Sequence, residues 1–193
     1  MALDRVVVGI TGASGAVYGK RIVEVLTANA FKVELIFSKA GKEVFEFETG
    51  VNYADFASSL PSDLVELYEP DDLFAPPSSG SHSVRGMVIA PCSAGTLGHI
   101  ASGATANLIH RAADVNLKEG RPVVLVFRES PLNRIHAENI LRVIDAGATL
   151  LPASPAFYTK PREVRELVDF VVERALRALL GREFGLIKSW GAP

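Results

Sequence analysis

The sequence predicts an α/β protein built on a three-layer, doubly wound parallel sheet of the Rossmann-like or flavodoxin-like kind. Short runs that are apolar along their whole length alternate with helical patterns, which is typical of parallel strands covered by helices on both faces. Glycine- and serine-rich turns follow two of these runs at the point where a helix begins. The chain has 193 residues, 48% of them hydrophobic, and is long enough for one domain with a full core.

Periodicity indicates each element in turn. The first strand is rich in β-branched residues, and the apolar residues after it recur at helical spacing. The later strands are short apolar runs, the third of which is expected to end at Pro91. The predicted strands are 5–11, 31–38, 86–90, 122–127 and 149–151. The predicted helices are 16–28, 39–48, 93–102, 105–118, 133–145 and 161–180.

Two segments lack a regular pattern. Residues 70–83 contain Asp-Asp, Pro-Pro and Ser-Ser-Gly-Ser, which is typical of a functional lid or of a disordered loop. The tail at 181–193 has no strong pattern, and we assign it to the same single domain, 1–193.

The composition excludes several classes of protein. A single cysteine cannot form a disulfide within the chain, and 20 basic against 22 acidic side chains do not give the basic excess of a nucleic-acid binder. The longest apolar runs, such as 123–127, are far shorter than a membrane-spanning helix. The amino terminus is typical of a first strand rather than a signal peptide. We therefore expect a cytoplasmic protein that binds neither nucleic acid nor membranes.

Ligands of this fold bind at the carboxyl ends of the strands, so the residues after each strand indicate function. The first strand is followed by Thr-Gly-Ala-Ser-Gly-Ala at 11–16, whose small residues allow a phosphate to approach a helix N-terminus. The spacing is neither that of a dinucleotide fingerprint nor that of a P-loop, and a tight turn explains the glycines equally well. Ser38 follows the second strand, where a dinucleotide-binding domain usually has an acid, which favours a mononucleotide over NAD.

A second small, hydroxyl-rich helix start follows the third strand, at Ser93-Ala94-Gly95-Thr96. Two such starts in one sheet favour a phosphorylated ligand, although Ser93 also suits a simple helix cap. Cys92 has no basic side chain near it in sequence and is expected to be a small buried residue rather than a nucleophile.

Charged residues follow the fourth strand. Arg128 suits bidentate binding of phosphate and Glu129 suits proton transfer, while a surface ion pair between them is the alternative. Arg111 and Lys118 are seven residues apart and share one helix face, which is either a phosphate-binding face or a solvated one.

Two further polar residues lie late in the chain. Tyr158 offers a hydroxyl to a ligand or simply packs. Arg174 lies in an apolar stripe with Leu167, Phe170, Val171 and Ala178. If this stripe is buried, the guanidinium needs an anionic partner, and otherwise it extends to solvent. The histidines show no metal-ligand spacing, so we expect no metal. They are His82, His99, His110 and His136.

Segments spread over nearly the whole chain resemble one family, the flavin prenyltransferases of the UbiX type. The matching segments are 9–16 with 18–19, 38–41 with 48–49, 75–81, 87–97, 107–109 with 111–115 and 117–119, 128–129 with 135–136 and 138–139, 155–158, and Trp190-Gly191. Two departures are visible: 75–81 reads Ala-Pro-Pro-Ser-Ser-Gly-Ser where the family often has Ala-Pro-Ile-Ala-Ser-Gly-Ser, and His110 stands where a small residue is frequent.

The resemblance implies a Rossmann-like or flavodoxin-like enzyme that transfers a dimethylallyl group from dimethylallyl monophosphate to N5 and C6 of reduced FMN. Whether the diphosphate also serves as donor stays open. The product, prenylated FMN, is the cofactor of UbiD-type decarboxylases. The resemblance further implies that no metal is needed and that the chain forms a homododecamer with active sites between subunits.

The resemblance also implies residue roles. FMN contacts are expected at Gly12, Ala13, Ser14, Ser38, Ser93, Ala94, Gly95, Thr96 and Arg128. Contacts to the dimethylallyl phosphate are expected at Tyr158, Arg174, Lys118 and Arg111. Glu48 and Glu129 match acid/base positions, with Ser14 near Glu48.

Two other functions are compatible with an FMN-binding fold of this kind. An FMN-dependent decarboxylase of the cysteine-decarboxylating flavoprotein group needs a histidine after the first flavin loop, and no histidine precedes His82. A flavin carrier without chemistry leaves Glu48, Glu129 and the phosphate-side cations without a purpose.

Overall fold

The computed structural model describes residues 4–187, which form one six-stranded sheet with helices on both faces. The strands are β1 Arg5–Ile10, β2 Lys32–Phe37, β3 Val65–Tyr68, β4 Met87–Cys92, β5 Val123–Phe127 and β6 Thr149–Pro152. The helices are α1 Ala16–Ala28, α2 Lys39–Thr49, α3 Tyr53–Ser59, α4 Ala94–Ser102, α5 Leu108–Lys118, α6 Arg134–Asp145 and α7 Val164–Leu180, with a 3₁₀ turn at Pro76–Ser78.

All strand pairs are parallel, and the strand order is β3-β2-β1-β4-β5-β6. This is the order of a doubly wound α/β sheet, which confirms the predicted fold class. Within residues 4–187, no helix combines the length and the apolar character that a membrane span requires.

The central strands are buried on both faces, so the sheet separates two apolar clusters. Helices α1, α2, α3 and α7 contribute to the first cluster, with Phe45 and Val172 among its fully buried members. Helices α4, α5 and α6 contribute to the second, which includes Leu97 and Ile109. On the second face, α5 packs partly against β2. The rest of this face at β2 and β3 is covered by the connection from β3 to β4, in which Ala75 is buried.

The structure differs from the sequence-based elements in three respects. Strand β3 and helix α3 were missed, because β3 has only four residues and, as an edge strand, exposes Glu66 and Leu67. The expectation that the third predicted strand ends at Pro91 is wrong. Strand β4 continues to Cys92, because its register against β5 shifts between Ile89 and Cys92 and pairing resumes beyond the proline.

The two segments without a regular sequence pattern, 70–83 and the tail from 181, pack against different parts of the fold. Residues 70–83 are ordered against α5, with the backbone N–H of Leu108 donating to the Pro70 carbonyl over 2.7 Å. In the tail, the buried Glu173 carboxylate accepts hydrogen bonds from the backbone N–H groups of Phe184 and Leu186. The Trp190-Gly191 motif lies outside the described residues.

Candidate active site

The crevice between β1 and β4 is the point where the sheet reverses its winding. Helix α1 follows β1 onto one face, and α4 follows β4 onto the other, so the two helices diverge from adjacent strand ends. The buried side chain of Thr11 joins the two arms. Its Oγ1 donates to the Pro91 carbonyl over 2.7 Å and accepts from the Ser93 backbone N–H over 2.9 Å. These two hydrogen bonds connect the ends of β1 and β4 at the base of the crevice.

The first turn of α4 presents unused hydrogen-bond donors to this crevice. The Ser93 hydroxyl caps the helix by accepting from the Thr96 N–H over 3.2 Å. The N–H groups of Ala94 and Gly95 donate to no described residue. A methyl group added at Gly95 would find no described atom closer than the Ser93 hydroxyl oxygen at 4.0 Å, so there is room beside this turn. Free N–H groups at a helix N-terminus favour an anion.

Helix α1 begins differently, because a carboxylate already occupies its N-terminus. Glu48 Oε2 accepts from the N–H groups of Gly15 over 2.8 Å and Ala16 over 2.9 Å. Gly15 has a φ of 104°, a conformation that favours glycine and that turns these N–H groups toward Glu48. Of the two helix starts that flank the crevice, α4 is thus the one available to a phosphate.

The structure brings Ser14, Glu48 and Arg128 together. Partial burial alone would raise the pKa of Glu48, but hydrogen bonds from Ser14, Ala16 and Gly15 and the charge of Arg128 outweigh it and lower the pKa. Glu48 is therefore ionised at neutral pH, which suits accepting a proton or stabilising positive charge rather than donating a proton.

Arg128 has no hydrogen-bonded partner for its buried Nε atom among the described residues. Its backbone N–H donates to the Cys92 carbonyl, which places the residue beside the α4 turn. The alternative of a surface ion pair between Arg128 and Glu129 is wrong, since the described chain contains no such pair. Glu129 Oε1 instead accepts from the Ser130 N–H over 3.1 Å. A buried guanidinium N–H without a partner is costly, so an anionic ligand fits here.

The other residues expected to contact the flavin belong to the first turn and to the start of α2. A Cβ at Gly12 would lie 2.5 Å from the Cβ of Ala40, so this glycine permits close packing of the first turn against α2. Ala13 is buried, and Ser38 caps α2 by accepting from the Gly41 N–H over 3.0 Å. Cys92 is fully buried, which raises the pKa of its thiol to about 12 and confirms its expected inert character.

Tyr158 and Arg174 meet in a separate cleft of about 940 Å³ between β6 and α7. Leu150, Leu151 and Phe170 line its apolar part, and the Tyr158 ring packs edge-on against Phe170 with the ring centroids 5.9 Å apart. The apolar stripe around Arg174 is only partly buried: Val171 belongs to the first cluster, whereas Arg174 and Ala178 are exposed at this cleft. No described side chain forms an ion pair with Arg174.

Arg111 and Lys118 lie in the opposite layer from Arg174. They belong to α5, which packs on the second apolar cluster, whereas α7 packs on the first. Arg111 Nη1 contacts Asp114 at 2.8 Å, and Lys118 Nζ contacts Glu119 at 2.7 Å. One protomer therefore does not bring these two cations to its own Tyr158 and Arg174.

Some functional candidates had no signal of their own in the sequence. Thr11 stood inside the first motif, but its bridging role depends on Pro91 and Ser93, 80 and 82 residues away. Tyr18 lies beside the site, where burial and the charge of Glu48 raise its pKa. His99 and His110 stack with their ring centroids 4.3 Å apart. Within residues 4–187, no three His, Cys, Asp or Glu side chains are placed to hold a metal ion.

The residues present fit a flavin mononucleotide. The α4 turn and the unpaired Arg128 Nε suit its phosphate, and the absence of an acid after β2 suits a single nucleotide. Fold and crevice together define a nucleotide-binding protein of the doubly wound α/β class.

Comparisons with known proteins agree with this class. The flavoprotein family profile matches residues 2–176. A flavin prenyltransferase UbiX from Halalkalibacterium halodurans is 47% identical, with 95% of this chain and 92% of that protein covered. The chain belongs to the flavoprotein family and, within it, to the UbiX-type flavin prenyltransferases.

Solved structures extend the likeness to three dimensions. A crystal structure of AnUbiX in complex with FMN and dimethylallyl pyrophosphate has a TM-score of 0.92 and 37% identity, with 99% of each chain covered. A dodecameric FMN-dependent UbiX-like decarboxylase from Escherichia coli O157:H7 has a TM-score of 0.90 and 39% identity, covering 97% of this chain and 100% of that one. A PPC decarboxylase is 22% identical with a TM-score of 0.60, covering 80% of this chain and 83% of that one, which shows a shared fold alone. The relatives at 43–47% identity are flavin prenyltransferases, so the cysteine-decarboxylating alternative is not favoured.

The cap on α1 leads to a prediction about pH. We expect Glu48→Gln to lower the free energy of unfolding at neutral pH by about 0.3–1 kcal/mol, because it removes a negative charge from a helix N-terminus. Since the pKa of Glu48 is lowered in the folded state, its contribution is present at neutral pH and is lost as the pH falls through that pKa. In urea unfolding curves, the difference between variant and wild type should therefore stay constant around neutral pH and shrink only as the pH falls below the ordinary pKa of glutamate, about 4.3.

Glu43→Gln is the matched control, because Glu43 is an exposed carboxylate on the same helix that accepts a hydrogen bond from no described residue. It should match the wild type at every pH. A Glu48→Gln effect that stays constant with pH would show that the carboxylate does not act through its charge.

Proposed function

We propose that the whole chain acts as one catalytic domain that transfers the dimethylallyl group of dimethylallyl monophosphate to N5 and C6 of reduced FMN. The observation that supports this most directly is the buried, unpaired Nε atom of Arg128, which lies beside the ionised Glu48 and the open turn of α4. Arg128 can bind an anion and Glu48 can accept a proton, and both lie at the carboxyl ends of the strands. This pair suits a phosphorylated flavin that loses a proton during the reaction.

Several residues hold and orient the flavin in this proposal. The α4 turn from Ser93 to Thr96 and the guanidinium of Arg128 bind the phosphate. Gly12, Ala13 and Ser38 form the surface against which the flavin lies. Reduced FMN, when bound, supplies the nucleophilic ring atoms. The protein's part is to place them toward the donor and to exclude water.

Two carboxyl groups, those of Glu48 and Glu129, carry out the proton transfers in this proposal. Glu48 is ionised and is held in place by Gly15, Ala16 and Ser14, so it accepts a proton that leaves the flavin ring. Glu129 comes next to Arg128 directly after β5, and in this proposal it donates a proton to the departing phosphate.

The donor occupies the cleft beside α7. Phosphate is a poor leaving group unless its charge is neutralised, and Arg174 with the Tyr158 hydroxyl supplies part of that neutralisation. The apolar walls at Leu150, Leu151 and Phe170 receive the dimethylallyl group and keep water away while positive charge develops on it. A donor with a single phosphate needs fewer cations than a diphosphate, and we propose the monophosphate.

The site is shared between copies of the chain. Helix α5 is about 16 Å long and ends just before β5 begins, which places Lys118 at the amino edge of the sheet, opposite the flavin crevice. Lys118 and Arg111 are therefore proposed to serve the donor phosphate of a neighbouring subunit. The dodecameric E. coli relative supports a dodecamer here.

Large apolar side chains on the surface support the same assembly. Phe74 is 100% exposed in a single copy of the chain. Packing against a partner surface would remove this large apolar side chain from water. Other exposed members are Phe47, Leu132, Ile135, Leu141, Ile144, Phe157 and Val164. We further propose that the protein works in the cytoplasm and that its product, prenylated FMN, passes to a UbiD-type decarboxylase.

The proposed function is tested by turnover. The purified protein, incubated anaerobically with reduced FMN and dimethylallyl monophosphate, should convert the flavin to a species heavier by one dimethylallyl group, detected by mass spectrometry with a changed absorption spectrum. EDTA should leave the rate unchanged, because charge neutralisation comes from side chains. An unmodified flavin would overturn the proposal, and a rate abolished by EDTA and restored by Mg²⁺ would overturn its metal-free form.

Two variants separate chemistry from binding. Glu129→Gln should retain FMN but slow transfer by about 10²–10⁴-fold, the usual contribution of general acid catalysis. Arg174→Ala should instead raise the KM for the donor as well as lower the rate, with FMN affinity close to wild type. Stopped-flow spectra and FMN fluorescence titrations measure both quantities. Wild-type transfer by Glu129→Gln would show that this residue is no acid.

Subunit mixing tests the shared site. Lys118→Ala and Arg174→Ala oligomers should each be impaired, but co-refolded mixtures should regain activity, because some interfaces then combine two intact halves. Mixed activity equal to the average of the two variants would place Lys118 outside the site.

A further inference from the structure

Strand β2 buries a carboxylate far from the crevice. Glu34 is 1% exposed and lies in register with Val7 of β1 and Glu66 of β3. The interior of a parallel sheet normally carries apolar side chains, and burying an ionised carboxylate is costly unless it is paired. The presence of Glu34 at this position therefore depends on its partners.

One oxygen of Glu34 makes both of its contacts. His82 Nε2 lies 2.6 Å and Arg5 Nε 3.0 Å from Oε1, while Oε2 accepts no hydrogen bond from a described residue. Burial raises the pKa of Glu34, and His82 and Arg5 oppose that change, while Glu66 adds to it. Tyr68 of β3 lies on the same side of the sheet.

His82 ends a segment that lies along α5. Arg111 Nε donates to the Ser78 carbonyl over 3.1 Å. Beyond α5, the two Nη atoms of Arg121 donate to the Gly80 and His82 carbonyls over 2.7 and 2.9 Å. The same stretch of backbone is thus held on one side by two arginines, one of which is a proposed phosphate-side cation.

The segment also lies directly against Lys118. A Cβ at Gly80 would be 2.9 Å from Lys118 Nζ and would overlap the Glu119 carboxylate. In the described chain, the hydrogen bond from His82 to Glu34 is the one side-chain hydrogen bond that joins residues 78–83 to a strand. The buried carboxylate therefore ties this segment to β2, while the arginines hold its backbone beside the cations of α5.

We propose that Glu34, acting through His82, is a positioning residue that fixes residues 78–82 against Lys118 and Arg111 and thereby sets how tightly these cations hold the donor phosphate. The inference rests on the proposed function, which assigns the two cations to the donor. Neither Glu34 nor His82 touches the reacting atoms, so their effect is on donor binding rather than on the chemical step.

The test uses the FMN-loaded oligomer of Glu34→Gln and, in case that variant folds poorly, of His82→Gln, whose side chain is at the edge of the core. Binding of dimethylallyl monophosphate to the oxidised FMN form, which needs no turnover, is measured by calorimetry. We expect the Kd to rise about 5- to 20-fold and the KM with it, while kcat changes less than about threefold. FMN affinity should be unchanged, and hydrogen exchange of the amides at 78–82 should be faster.

Val33→Ala is the matched control, because Val33 is buried on the opposite face of the same strand and its truncation destabilises through a cavity alone. It should leave the Kd and the exchange at 78–82 near wild type. An equal rise in Kd with Val33→Ala, or a Kd within about twofold of wild type in both test variants, would overturn the inference. Wild type that binds the donor without transferring the prenyl group would overturn the proposed function alone, and wild type that fails to bind it would overturn both.

Discussion

The active crevice depends on one topological constraint, namely that the adjacent strands β1 and β4 send their helices to opposite faces of the sheet. Divergence leaves the two strand ends uncovered by either helix, and the backbone there faces outward. The two strand ends are held together at this opening only by a contact that bridges them. Thr11 spans the opening with one hydroxyl that donates to one arm and accepts from the other. A single buried atom thus ties the two strand ends together.

Electrostatics then divides the crevice into two regions. Both flanking helices direct positive dipole ends toward it, which would favour anions at either position. Glu48 neutralises the first helix end internally, and the second stays open beside the unpaired Arg128 Nε. The open helix end and the Glu48 carboxylate therefore lie at different places, and the charge of Arg128 acts on Glu48 as well. In the proposed function, this separation places the flavin phosphate at the α4 turn and the reactive ring near Glu48.

Much of this was accessible from sequence, and the rest was inaccessible for identifiable reasons. Local sequence is enough to find the strands buried on both faces and the turn at 93–96. A continuous apolar run indicates the former and a run of small residues the latter, and neither pattern depends on a distant residue. Strand β3 could not be found in the same way, because at the sheet edge it has only four residues and the two central ones, Glu66 and Leu67, are both exposed. The long-range contacts of Thr11 and Glu34 are equally invisible, since each joins positions that only folding brings together. Arg174 was singled out from the sequence, but whether its stripe faced the core or a cleft required the packed helix.

The burial of Cys92 affects how readily its thiol is oxidised when oxygen is present. Reduced flavins react with oxygen and release peroxide, and the thiol at the end of β4 adjoins the turn proposed to hold the flavin phosphate. Peroxide oxidises thiolates rather than thiols, and a pKa of about 12 leaves almost no thiolate here. The chain has no other cysteine. A protein that handles an oxygen-sensitive substrate is thereby protected, by burial alone, from the sulfenic acid damage that its own substrate would otherwise cause.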